Sequence, residues 1–234
     1  MARQPRLCIP GLPHLVQLSA ADGAQPLASD TLRWRVLAWL GEGIAKHAVQ
    51  LHAYGVLPAA ILLLSTPQRS DGLSELVQML ARRVSLAQPA DGPKAPVWAG
   101  RFRSAVVQPE TWGLVATVWV DGAAQRAGLD TPAQPWPWSS RAAHCGLAAG
   151  AGGALPLQLL GPHWKLGNTP FEREAAYSRL LQAGVDAARA RAVERALRSG
   201  SALGDDAFLA ELEAASGRRV RAAPRGRPRK LAGQ

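Results

Sequence analysis

The 234-residue chain has only two cysteines, Cys8 and Cys145, and neither belongs to a CxxC or similar metal-ligand spacing. Two thiols are too few for the disulfide framework that stabilises small secreted domains. Long apolar runs are also absent, since the longest, Ala59 to Leu64, is far too short to span a bilayer. Three prolines near the N-terminus interrupt any apolar core of a secretion signal. We therefore expect a cytoplasmic protein of bacterial type with no membrane partner.

Acidic residues are missing from one end of the chain. From Gly217 onward there are seven Lys or Arg and no Asp or Glu, while the chain as a whole has a net charge of +10. The body is therefore close to neutral and the tail strongly basic. An uneven charge of this kind predicts a polyanionic partner, for which nucleic acid is the usual case. The tail has no apolar face with which to enter a membrane.

Apolar periodicity predicts an α+β fold in the first two thirds of the chain. Strand and helix patterns alternate in the order strand, helix, strand, strand, helix, strand, at about 12–18, 30–46, 49–57, 60–65, 71–86 and within 97–107. This is the ferredoxin-like order. We expect residues 1–155 to form an antiparallel sheet with helices on one face. A third helix is predicted from Pro109 to about Ala127.

The pattern changes after Pro156. Thr169 to Glu172 reads as a capping box with Pro170 at the first helical position. Further helices are predicted over 185–197 and 207–215, ending at glycines. Residues 156–217 are thus expected to form a small helical appendage, and residues 218–234 a basic tail that is disordered on its own.

Seven segments in order along nearly the whole chain resemble motifs of the REP-associated tyrosine transposases, a family of single-tyrosine HUH enzymes of DNA transposition. The segments are PGLPH at 10–14, HAY at 52–54, WAGRF at 98–102, RAGL at 126–129, WPWSS at 136–140, LGD at 203–205 with Phe208, and RGRPRK at 225–230. The resemblance implies the ferredoxin-like fold and DNA as the partner.

The catalytic residues of that family are not found at the matching positions. Its chemistry uses two histidines on a strand to hold a divalent metal, and a helix tyrosine that attacks the phosphate. By the resemblance, the histidines fall on Ala60 and Leu62, the tyrosine on Trp119, and a polar residue one turn later on Ala123. Methyl and isobutyl groups have no lone pair for a metal, and an indole N–H is a donor only. We therefore predict no metal, no cofactor and no catalytic residues, and expect these four side chains to pack as core.

Other residues offer weaker candidates for chemistry. Tyr54 and His52 are the nearest replacements, although a framework role is favoured. His144 and Cys145 are adjacent and lack an evident third metal ligand. Base stacking is one interpretation of the tryptophans at 98, 136 and 138, and packing is the favoured one.

The predicted DNA-binding residues are all basic: Arg101, Arg103, Arg218, Arg219, Arg221, Arg225, Arg227, Arg229 and Lys230. Arg101 and Arg103 share one face of a strand. The segment from Arg225 to Pro228 resembles an AT-hook, so minor-groove and phosphate binding both stay open. Deleting Arg218 onward is expected to flatten the salt dependence of DNA affinity by up to about six log–log units.

These features favour a DNA-binding protein that has lost the activity of the transposases, whether its DNA is a hairpin, a single strand or an A·T-rich duplex. A role as a regulator or nucleoid-associated factor fits this hypothesis. The alternative is an active transposase or nicking enzyme that uses unrecognised residues. A decaying gene product is a third possibility, which the intact caps and periodicity argue against.

Overall fold

The structure, a computed structural model, describes residues 6–89, 95–131, 136–147 and 155–222. Its centre is a four-stranded sheet in the spatial order β2-β3-β1-β4. The strands are β1 (His14–Ser19), β2 (Val49–Leu57), β3 (Ala60–Pro67) and β4 (Arg103–Val106). The helices are α1 (Asp30–Lys46), α2 (Gly72–Leu86), α3 (Pro109–Asp121), α4 (Ala123–Arg126), α5 (Arg141–His144), α6 (Gly161–Trp164), α7 (Pro170–Ala183), α8 (Ala187–Ser199) and α9 (Asp206–Ser216).

All strand pairs in this sheet are antiparallel, which confirms the predicted ferredoxin-like α+β fold. β1 lies between β3, where Val16 faces Leu63, and β4, where Leu15 faces Ala105. Successive side chains of a strand point to opposite faces. Val16 and Leu18 accordingly lie in one core cluster and Leu15 in another.

The first face of the sheet is covered by α1 and α2, as the helical spacing of their apolar residues predicts. Val36 and Leu40 of α1 and Leu76 and Leu80 of α2 are fully buried there. The two helices approach closely at Gly43, where a Cβ atom would lie 2.5 Å from Leu76 Cδ1. Ser29 and Asp71 stand at the N-caps, although neither side chain bonds a backbone N–H there.

The expectation that helices cover only one face is wrong, because α3 and α8 lie on the second face. Leu62 and Leu64 of β3 pack there with Val120 of α3 and Val193 of α8. The reason is that β3 is apolar on both sides, so each of its faces has to be removed from water. Residues of the predicted appendage therefore complete the core of the sheet.

The C-terminal helices begin and end close to the predicted residues. Thr169 and Glu172 form the reciprocal capping box of α7, and Gly200 and Gly217 end α8 and α9 in the left-handed conformation. The packed chain continues beyond Gly217. Val220 is 1% exposed, and its carbonyl accepts the Ala202 N–H at 2.8 Å.

β4, Arg103–Val106, lies within the segment 97–107, as predicted. Two other local features differ from the prediction. The helix predicted over 109–127 stops at Asp121, and Gly122 separates α3 from α4. The short helices α5 and α6 have too few residues to give a periodic signal.

Buried histidines make the stability of this fold sensitive to acid. His14 Nε2 accepts the Ile9 N–H at 3.1 Å while Nδ1 donates to the Leu12 carbonyl at 2.8 Å, so the ring has to be neutral. Burial lowers the pKa of His14 from 6.5 to about 4, and burial and nearby His144 do the same to the pKa of His163. Burial also lowers the pKa of His52, whose Nε2 lies 2.7 Å from Thr66 Oγ1.

We expect the free energy of unfolding to fall as the pH drops from about 6.5 toward 4. In that window the unfolded chain binds protons that the folded protein excludes, so the stability contributed by neutral histidine is complete above 6.5 and lost below it. By pH 4.5, His14 and His163 each account for a loss of unfolding free energy on the order of 2–3 kcal/mol. Urea unfolding at pH 7 and 4.5 measures the difference. A His14→Gln variant, in which one titrating group is gone, should show a shallower pH dependence, and equal stabilities of the natural chain at both pH values would contradict the prediction.

Candidate nucleic-acid interface

A basic cavity of about 470 Å³ lies beside β4, at one edge of the sheet. Four separate segments form its wall: the N-terminal residues 6–7, the stretch 99–104, the C-terminal end of α8, and residues 218–219. Six arginines line it: Arg6, Arg101, Arg103, Arg198, Arg218 and Arg219. No Asp or Glu is among the described residues of the wall.

Local contacts place the arginines around this basic cavity. The Arg6 guanidinium lies 3.8 Å from the centre of the Phe102 ring, and its Nε donates to the Phe102 carbonyl at 2.9 Å. Phe102 itself is buried in the first-face core, so it fixes the wall to the sheet. Arg103 begins the edge strand β4, where it lies opposite Gln17 of β1 in the strand register. The left-handed Gly200 turns the chain at the end of α8 beside Ser104.

The charge of the basic cavity suits an anion with several oxygens. Six guanidinium groups around one concave surface concentrate positive potential and attract polyanions over distances limited by the Debye length. Guanidinium groups bind phosphate oxygens in bidentate fashion. The arrangement can therefore hold one or more phosphate groups without contacting a base.

The structure brings together four of the residues predicted to bind DNA: Arg101, Arg103, Arg218 and Arg219. Arg221 instead forms ion pairs with Asp206 at 2.5 Å and Glu213 at 3.6 Å. The remaining predicted residues, Arg225, Arg227, Arg229 and Lys230, lie outside the described part of the chain. Arg6 and Arg198 were missed, because only the tertiary fold brings the N-terminus and the end of α8 to this edge.

The four positions matched to the catalytic residues of the transposases lie in one apolar cluster. Leu62, Trp119 and Ala123 are buried there, and half-buried Ala60 packs against them. The Arg126 guanidinium lies 3.9 Å from the centre of the Trp119 ring and donates to the Trp119 carbonyl at 2.5 Å. Burial lowers the pKa of Arg126 to about 10. A divalent metal does not fit this position, since these side chains offer only carbon atoms and an indole N–H.

A buried polar network begins two residues after Trp119. The Asp121 carboxylate is fully buried and accepts hydrogen bonds from Ser140 Oγ, from His144 Nδ1 at 2.6 Å and from the Tyr177 hydroxyl at 2.6 Å. The same Ser140 hydroxyl accepts the Tyr54 N–H at 2.9 Å. The Asp121 network thus joins α3, α5, α7 and β2 around one carboxylate.

The weaker candidates for chemistry occupy packing positions. Tyr54 is 5% exposed, and burial raises its pKa to about 12, so its hydroxyl is a poor nucleophile. His52 Nδ1 donates to the Gln158 carbonyl at 2.6 Å. His144 bonds to Asp121, and no group of three His, Cys, Asp or Glu among the described residues is placed to hold a metal. Trp98, Trp136 and Trp138 lie in or against the first-face core.

No helix in the described ranges combines the length and apolarity needed to cross a membrane.

Comparison with known proteins adds to this description of the fold. No family model matches the chain, and no curated protein matches it. Among solved structures, the chain is similar to a REP-associated tyrosine transposase bound to a REP hairpin, with a TM-score of 0.51, 17% identity, and coverage of 69% of this chain and 96% of that one. It also matches a protein from Deinococcus radiodurans named as a candidate transposase, with a TM-score of 0.35, 22% identity, and coverage of 49% and 92%. The first of these comparisons shows that the chain shares the fold of a transposase.

Proposed function

We propose that this protein binds DNA through the basic cavity and the basic tail, and that it does not cut the strand it binds. The observation that carries the proposal is the convergence of six arginines from four segments on one concave surface without a carboxylate in its described wall. Scattered surface arginines would satisfy solubility equally well, so solubility does not account for their convergence. The structural neighbour bound to a REP hairpin shares the fold, which supports DNA as the polyanion.

The cluster around Trp119 lacks the groups that cutting requires. Leu62, Trp119 and Ala123 are buried together, and their side chains supply neither metal ligands nor a nucleophile. Where a nucleophile acts within a catalytic unit, its loss alone costs on the order of a million-fold in rate. Binding therefore survives in this proposal while cleavage does not.

Neutralising the basic cavity is expected to weaken DNA binding strongly. The variant carries Arg101→Gln, Arg103→Gln and Arg219→Gln. Each lost phosphate contact reduces the log–log salt slope by about 0.9, so the slope should fall by up to about 2.7 and affinity near 0.1 M salt by up to roughly 500-fold. Salt-titrated binding to hairpin, single-stranded and A·T-rich duplex DNA measures both quantities.

A matched variant with Arg35→Gln, Arg69→Gln and Arg82→Gln removes the same charge from the α1–α2 side of the sheet. These three arginines are exposed. Arg35 lies on α1, Arg69 just before α2 and Arg82 on α2. The proposal requires this control to retain most of the salt slope. Equal losses in the two variants would show that net charge, and not the basic cavity, determines binding.

Incubation with a divalent metal and single-stranded hairpin DNA is expected to give no covalent protein–DNA adduct. A denaturing gel of labelled DNA measures it, with an active transposase of the resembled family as the positive control. An adduct that disappears in Tyr54→Phe would establish the alternative function, an enzyme that uses an unrecognised tyrosine.

A further inference from the structure

One side of α8 has three arginines in a row. Arg191, Arg195 and Arg198 are four and three residues apart, and all three are exposed. At 3.6 residues per turn this spacing places them along one narrow stripe of the helix. We call these three residues the α8 stripe.

The α8 stripe faces away from the sheet. Val193, Ala196 and Leu197 form the buried side of α8 and pack on the second-face core. These residues lie about 140–240° around the helix from Arg191, so the stripe occupies the opposite side. Its last member, Arg198, also lines the basic cavity. The α8 stripe and the basic cavity therefore form one continuous positive surface.

Carboxylates of the described residues do not form ion pairs with the α8 stripe. In the described ranges, no Asp or Glu lies within ion-pair distance of Arg191, Arg195 or Arg198, whereas Arg189 on the other side of α8 pairs with Asp186 at 3.6 Å. Glu194, three residues after Arg191 and four before Arg198, lies at the edge of the stripe toward Arg126, and its charge raises the pKa of that arginine. The neighbouring α9 is acidic, with Asp206 and Glu213 paired to Arg221.

We propose that the α8 stripe is a second contact surface for the phosphodiester backbone, along which a nucleic-acid strand continues after it crosses the basic cavity. From Arg191 to Arg198 the helix rises about 10.5 Å. One strand of a duplex has a phosphate about every 3.4 Å of helix axis, so the stripe spans about three phosphates. This inference rests on the proposed function and adds Arg191 and Arg195 to the binding residues.

The neighbours of the stripe define the mode of recognition. Ala188 and Ala192 flank Arg191 and Arg195 and are too small to stack on a base or to reach its edge. Contacts along α8 therefore come from the arginines themselves, and we expect them to be mainly to phosphate and independent of sequence.

The test is an Arg191→Gln, Arg195→Gln variant that leaves Arg198 and the basic cavity intact. Its log–log salt slope should fall by up to about 1.8 on duplex DNA, or about 1.4 on a single strand, and its affinity near 0.1 M salt by up to roughly 60-fold. Separate titrations with duplex, hairpin and single-stranded DNA show which form follows the stripe, and a loss on any one of them supports the proposal. Unchanged thermal unfolding verifies that the exposed substitutions leave the fold intact.

The matched control is an Arg179→Gln, Arg189→Gln variant, which removes two exposed charges from α7 and from the other side of α8. If the stripe and control variants lose equal slope on every DNA, the α8 proposal is overturned. The basic-cavity variant then separates the two proposals. If that variant loses DNA binding, the proposed function stands and only the stripe proposal fails. A natural chain with no salt-dependent DNA binding overturns both.

Discussion

Replacing Asp121 with alanine is expected to lower the free energy of unfolding by about 3–5 kcal/mol, a large part of the stability of a typical domain. The carboxylate is fully buried and is the shared acceptor for Ser140, His144 and Tyr177. Without it, His144 and Tyr177 lose their acceptor in a place that water does not reach, and Ser140 keeps only the Tyr54 carbonyl at 3.2 Å. Each unsatisfied buried group costs about 1–3 kcal/mol.

Milder substitutions separate the charge from the volume. Asp121→Asn keeps the size of the side chain but places an NH₂ group where two acceptor oxygens are needed, so most of the loss should remain. Tyr177→Phe removes a single hydroxyl group and should lower the stability by about 1.5–3 kcal/mol, since that bond is to a carboxylate. Chemical denaturation followed by circular dichroism measures all three variants.

Glu110→Ala provides the matched control, because Glu110 is an exposed acid in the first turn of the same helix, α3. Its change should stay within about 0.5 kcal/mol. If Asp121→Ala falls within 1 kcal/mol of this control, the Asp121 network does not hold the C-terminal helices to the sheet.

The Asp121 network also shows where sequence reasoning stops. Residues 121, 140, 144 and 177 share no spacing that a periodic pattern detects, and only folding places them around one carboxylate. The basic cavity is a similar case, since Arg6 and Arg198 lie at its wall through tertiary contacts alone. By contrast, the capping box at Thr169 depends on residues three apart, so it was predicted correctly.

Local chemistry explains most of what the sequence predicts of the fold. The strand limits of β2 follow from an apolar segment bounded by Pro58, and the ends of α8 and α9 follow from glycines that adopt positive φ at Gly200 and Gly217. The sequence did not predict that helices cover both faces of the sheet. The apolar pattern of β3 indicates that both of its faces are buried, but it does not show which helices bury them. That choice depends on contacts between elements far apart in the sequence, such as those of α8 with β1 and β4.

The structure changes how the basic tail has to be tested. Deletion from Arg218 onward would remove Val220 from a core cluster, together with Arg218 and Arg219 from the basic cavity. Unfolding and loss of charge would then be mixed in one measurement. Ending the chain after Ala222 keeps every described residue and removes only Arg225, Arg227, Arg229 and Lys230 from the basic groups.

The chain that ends after Ala222 is expected to lose up to about 3.6 units of log–log salt slope and up to roughly 4,000-fold in affinity near 0.1 M salt. The reason is that four cations, tethered directly after the arginines of the basic cavity, are available to the same stretch of DNA. A full-length variant with the four residues changed to glutamine is the control for chain length and should match the truncation.

Comparing A·T-rich with G·C-rich duplexes distinguishes the two modes left open for the tail. Arginines in a narrow A·T minor groove would make the loss larger on A·T-rich DNA, whereas phosphate contacts would give equal losses. An unchanged slope in the truncated chain would instead assign the whole affinity to the basic cavity and the α8 stripe, and would contradict any role of the tail in binding.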